Sequence, residues 1–265
     1  VFVGEGFTVT LALYVSASNR AKMGWHKIGE QLEGFIKKAK PSNVWEENHN
    51  ISRITSNTVE INGKIYTQSV IFQATYFPLN DEDINFPSLD LKMVKYNRAK
   101  RLSFFGQNYE EELITLSSKP KLVKVIPLPD HPLKDNVAVG DYQLDEKINK
   151  TNLNTGESFQ YEFIISGEGN ISAISKPNIL SENIDFYPPD IQQNIRRSDN
   201  FVTGRKTFRY YGIPNEPGNY ELSDDIFWIY FDPYREKYDT LRSDISLAVG
   251  GESKKNEYIS TNYTD

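Results

Sequence analysis

The chain has 265 residues, a formal net charge of −6 and no cysteine. That length accommodates two modules of ordinary domain size. The acidic balance argues against a nucleic-acid partner, whose phosphates demand a basic footprint, and the missing thiols exclude a disulfide framework and cysteine catalysis.

Residues 3–15, VGEGFTVTLALYV, open the chain on alternation. Phe7, Val9, Leu11, Leu13 and Val15 share one face of a strand, since side chains along a strand alternate with period two. Residues 20–50 are irregular. Ile28, Leu32, Phe35, Ile36 and Ala39 have helical spacing, while Gly29 and Gly34 each cost roughly 1 kcal/mol inside a helix. A short helix and an irregular loop both fit. Next, TVEINGKIYTQSV reads as a hairpin turning at Asn62-Gly63, a pair suited to a two-residue type I′ turn. Residues 121–135 read as a final strand and a linker, because Pro127, Pro129 and Pro132 cannot donate to a ladder.

The same landmarks then return. Residues 155–166, TGESFQYEFIIS, again set Gly-Glu ahead of a Phe and an alternating run, with Phe159, Tyr161, Phe163 and Ile165 on one face. Residues 72–78, FQATYFP, are answered by 208–214, FRYYGIP. Two paired landmarks in the same order predict an internal repeat. Gly4 lies 74 residues ahead of Pro78 but Gly156 only 58 ahead of Pro214, so the first copy carries an insertion. The expected architecture is all-β, with tandem immunoglobulin-like sandwiches. The first spans residues 1–128 with its insertion at about 16–50, and the second spans 129–250. Residues 251–265 form a polar linker tail. Ile245, Leu247 and Val249 make the last strand, and Trp228 packs within its sheet.

Chemistry-bearing motifs are scarce. His26, His49 and His131 lack metal-ligand spacing, and there is no G-x-S-x-G elbow or phosphate loop. No catalytic residue, cofactor or resident metal is expected. The acidic triplet Asp81, Glu82 and Asp83 is either a solvated turn or an oxygen-rich cation or partner contact. Trp25 and Trp45 are either contact anchors or a small satellite core of their own sandwich. The basic clusters Arg98, Lys100, Arg101 and Arg205, Lys206, Arg209 read as ordinary solvated surface.

Several segments together resemble the BatD family: Val139-Gly140-Asp141-Tyr142, Gly156-Glu157, Gly167 through Asn170, Ile213-Pro214 with Gly218-Asn219-Tyr220, and Phe231-Asp232-Pro233 with Tyr238. The stretch ATYFPLNDEDINFPSLDL fits the preceding module of that family. The resemblance implies a non-catalytic, extracytoplasmic scaffold on the periplasmic side of the inner membrane, held by a helix outside these residues. It also implies a role in aerotolerance and in oxidative or envelope stress. The implied partners are von Willebrand A-type proteins of the same operon, with an indirect link to a MoxR-type AAA+ ATPase. The competing expectation is a carbohydrate- or ligand-binding sandwich of the envelope, motivated by 16 Tyr and 3 Trp.

Overall fold

The computed structural model describes residues 1–98, 109–198 and 200–254. They form an all-β protein of two compact units, one made of Val1 and Phe7–Pro127, the other of Phe2–Gly6 and the chain from Leu128 onward.

In the first unit the chain runs β1 (Phe7–Ser16), β2 (Lys22–Trp25), α1 (Ile28–Ala39), β3 (Val44–Asn48), β4 (Ser56–Ile61), β5 (Lys64–Pro78), β6 (Ile84–Phe86), β7 (Asp90–Arg98), β8 (Tyr109–Ser117) and β9 (Lys121–Val123). β5 is flanked on one side by β1 and on the other by β3 and β4 in succession. β7 lies between β2 and β8, and β6 pairs with β9. The hairpin at Asn62-Gly63 joins β4 to β5, both turn residues having positive φ (50° and 73°), as a type I′ turn requires.

The segment left open between helix and loop is the helix α1. Its stripe Ile28, Leu32, Phe35 and Ala39 packs on Leu11, Leu13, Ile71 and Met93. Added Cβ atoms at Gly29 and Gly34 would meet nothing within 4 Å, so both glycines lie on the open side. Burial of the opposite stripe outweighs their conformational cost. Gln31 fastens the helix to β7: its Oε1 accepts from the Lys92 amide at 2.7 Å and its Nε2 donates to the Lys92 carbonyl at 3.0 Å.

The second unit runs β10 (Ala138–Ile148), β11 (Asn152–Asn154), β12 (Phe159–Gly169), β13 (Asn178–Ile179), β14 (Ile184–Phe186), β15 (Asp190–Ser198), β16 (Phe201–Pro214), β17 (Gly218–Glu221), β18 (Ile226–Asp232), β19 (Lys237–Arg242) and β20 (Ser246–Gly250). The main sheet has the order β13-β18-β10-β12-β16-β14, with β15 also on β16 and β19 also on β18. β20 lies between β11 and β17. Phe159, Tyr161, Phe163 and Ile165 are at most 1% exposed, so the alternation in that run marks the core face. Trp228 joins the same core.

Sequence similarity between the halves is matched bond for bond. Phe2–Glu5 and Asn154–Glu157 form the same turn, with Gly4 and Gly156 at φ 81° and 79° in the position where a type II turn needs glycine. In both, the Glu amide donates to the first residue's carbonyl, at 3.1 and 3.0 Å. In both, the Glu carboxylate accepts from the first residue's amide, at 2.7 and 3.2 Å. The long strands end alike. Leu79 N donates to Asn43 O at 2.9 Å, and Asn215 N to Asn183 O at 2.8 Å. Thus β1, β3, β4 and β5 repeat as β12, β14, β15 and β16, and the hairpin β7–β8 repeats as β18–β19.

Candidate functional site

The acidic turn follows directly from where β5 stops. Pro78 cannot continue the ladder, and the next residues are clamped by two asparagines. Asn80 Oδ1 accepts from Asn43 Nδ2 at 2.9 Å and from Glu82 N at 3.2 Å, while Asn43 Nδ2 also donates to Glu82 O at 3.3 Å. The three carboxylates do not share a role. Asp83 Oδ1 accepts from Val125 N at 3.1 Å and ties this turn to the strand end after β9. All three are exposed, on the loop that the two asparagines hold. Among the described residues no cluster of three His, Asp or Glu side chains is placed to hold a metal ion.

The two tryptophans stand on different strands of the first unit. Trp25 closes β2 opposite Met93 and is 37% exposed. Trp45, on β3 opposite Phe77, is 46% exposed, and its indole N–H donates to Glu47 Oε1 at 2.9 Å. Nearby, Thr75 Oγ1 meets both Thr8 Oγ1 at 2.7 Å and His49 Nε2 at 2.9 Å. This polar cluster was not legible in the sequence, because its members come from β1, β5 and the residue that follows β3. His131 stacks on Tyr238, ring centres 4.1 Å apart, and His26 offers its carbonyl to Gln31 Nε2.

Of the basic residues expected on solvated surface, Arg98 and Arg205 are exposed, while Lys206 and Arg209 are partly buried. Lys206 is half-buried, donating to Ser172 O at 3.1 Å and Ile174 O at 2.7 Å, and burial lowers its pKa. It satisfies carbonyls at the end of the 3-10 turn Ile171–Ala173 that follows β12, a task no linear pattern announces. Arg209 pairs with Glu162 at 2.8 Å. Lys100 and Arg101 lie outside the described residues.

A cleft of about 700 Å³ in the second unit was also missed. Asp141 and Gln143 of β10, Ser166 and Glu168 of β12, and Arg196 and Arg205 of the β15–β16 hairpin line it. Gly167 and Gly204 also line it, and a Cβ at either would meet neighbouring backbone, Asp141 O at 2.0 Å and Asn194 O at 2.2 Å. Burial raises the Glu168 carboxyl above its ordinary range, opposed by a hydrogen bond from Tyr234 Oη at 3.1 Å and reinforced by Asp141. An acid with a raised folded pKa favours folding below its unfolded value and loses that advantage as pH rises through the folded pKa. Glu168→Gln, which still accepts from Tyr234, is therefore expected to be the more stable protein at about pH 8. The gap should shrink towards about pH 4 in denaturant titrations at both values.

Against known proteins, residues 146–246 match the family model described as BatD DUF11 like domain. The matched stretch runs from the end of β10 into β20 and takes in most of the second unit. No curated protein matches the chain.

Proposed function

We propose that this chain works as BatD-family proteins do, as a non-catalytic envelope scaffold that acts through protein–protein contacts. The observation that carries this reading is the BatD DUF11-like match over residues 146–246. The repeat of the same strand order in the first unit supports it further, since sandwiches in series offer loops and edges for docking. In this reading the partners are von Willebrand A-type proteins of the same operon, linked through them to a MoxR-type AAA+ ATPase. The chain stands on the periplasmic side of the inner membrane, anchored by a helix outside these residues, and serves aerotolerance and envelope-stress resistance. No helix among the described residues is long and apolar enough to cross a membrane.

Asp81 and Glu82 suit the metal-centred face of a von Willebrand A domain, where a partner carboxylate completes the coordination of a divalent cation. Asp83 is left out because it already holds Val125. Asp81→Ala/Glu82→Ala is expected to weaken binding of the operon's A-domain protein by at least tenfold in Mg²⁺. Chelating the Mg²⁺ should weaken the parent chain to the same extent. Unchanged affinity in both experiments would remove this contact from the account. The exposure of Trp25 and Trp45 favours carbohydrate binding as the second reading, since aromatic faces stack on sugars. A glycan-array hit abolished by Trp25→Ala/Trp45→Ala would put that reading first.

A further inference from the structure

Among the described residues the repeat leaves β10 without a counterpart in the first unit. In the second unit β10 pairs antiparallel with β12, Gly140 to Ile148 against Gly169 to Tyr161, and through Ala138 and Val139 it also pairs with β18. It thus stands between two parts of the sheet, and Leu144 and Ile148 pack against the core. In the first unit β1 is the equivalent of β12. Among the described residues it has a strand partner on its β5 side alone.

Two observations mark the other edge as a place for a strand. The first is burial. None of the β1 side chains is fully buried, whereas their equivalents Phe159, Tyr161, Phe163 and Ile165 are. Beside Leu11–Tyr14 opens a cleft of about 300 Å³ walled by Leu11, Leu13, Phe35, Ile71, Leu91 and Leu116. α1 covers part of this face through side chains, but a helix supplies no backbone partner to a strand edge. The second observation is charge. Proteins blunt exposed strand edges with charged residues or proline, or keep them very short, and the other long edge strands are charged: β8 carries Glu110, Glu111 and Glu112, and β15 carries Arg196 and Arg197. β1, FTVTLALYVS, has no charged residue and no proline along its whole length. It is composed like a central strand.

We infer that the free edge of β1 accepts an extended strand in the antiparallel register that β10 takes on β12. The repeat assigns that strand to polypeptide joined ahead of Val1, because β10 precedes the Asn154–Glu157 turn just as this strand would precede the Phe2–Glu5 turn. Its apolar residues alternate as Leu144 and Ile148 do, and fill the cleft beside Leu11 and Leu13.

The test compares three chains by amide hydrogen exchange across residues 8–15. One is the chain of residues 1–265. The second carries a copy of residues 143–152 joined ahead of Val1, the stretch that faces Ser166 to Tyr161 and then leads into the turn. The third carries the same copy with Leu144→Pro and Glu146→Pro in the added segment only, which breaks a ladder without removing its length. The second chain is expected to slow exchange in β1 at least tenfold, and the third is expected to match the first. Equal exchange in all three overturns the inference. Protection already present in the 1–265 chain and rising with protein concentration overturns it too, by giving the edge to a second copy.

Discussion

Trp228→Ala is expected to cost the second unit about 3–5 kcal/mol, the range for truncating a large buried aromatic. Trp228 is 1% exposed, edge-on to Tyr142 at 5.3 Å and stacked on Tyr230 at 5.6 Å. Its indole N–H donates to Ser175 Oγ at 3.2 Å, so truncation strips a polar partner as well as opening a cavity. The loss should spread, because Tyr142 and Tyr230 are themselves core residues whose hydroxyls donate to Val139 O and Tyr142 O. Trp228→Phe keeps most of the ring contact and is expected to cost about half as much. Denaturant titration followed by circular dichroism measures both. A loss under about 1 kcal/mol for the alanine variant would show that this core is not packed around Trp228.

Gly167→Ala is the second large effect, about 2–4 kcal/mol from one methyl group. An added Cβ would stand 2.0 Å from the Asp141 carbonyl oxygen and 2.9 Å from Tyr142 Cα. Both neighbours are backbone, so no rotamer change relieves the overlap, and the φ of 156° already disfavours a side chain. The strands β10 and β12 must separate, and the cleft that they line must change shape. Gly34→Ala is the matched control. It lies in α1 with nothing within 4 Å of the new methyl, and is expected to be stabilising by about 0.5–1 kcal/mol. Equal effects from the two substitutions would contradict the strand geometry around Gly167.

Features coded by local order were readable in the sequence. Alternation gave the core face of residues 159–165, Asn62-Gly63 gave the hairpin, and paired Gly-Glu and terminal Pro residues gave the repeat. Each depends on residues within a few positions of one another, or on the same local code read twice. What could not be read depends on neighbours across strands. The role of Gly167 appears only when β10 lies beside β12, and that of Gly204 only when β15 lies beside β16. Lys206 looked like surface until the chain folded two carbonyls onto it. α1 was ambiguous because its two glycines argue against a helix, and only tertiary burial of Phe35 decides the matter. At the acidic turn the sequence placed Asp81, Glu82 and Asp83 together but could not show that Asp83, exposed like the other two, is the one that accepts from Val125.

The central claim, a scaffold that docks protein partners, is tested most directly by titration calorimetry of this chain with a purified von Willebrand A-domain protein of the same operon in Mg²⁺. The account predicts saturable binding of one partner per chain with micromolar or tighter affinity, on the order of −8 kcal/mol. Absence of any binding heat, together with saturable binding of a glycan by the same preparation, would contradict it.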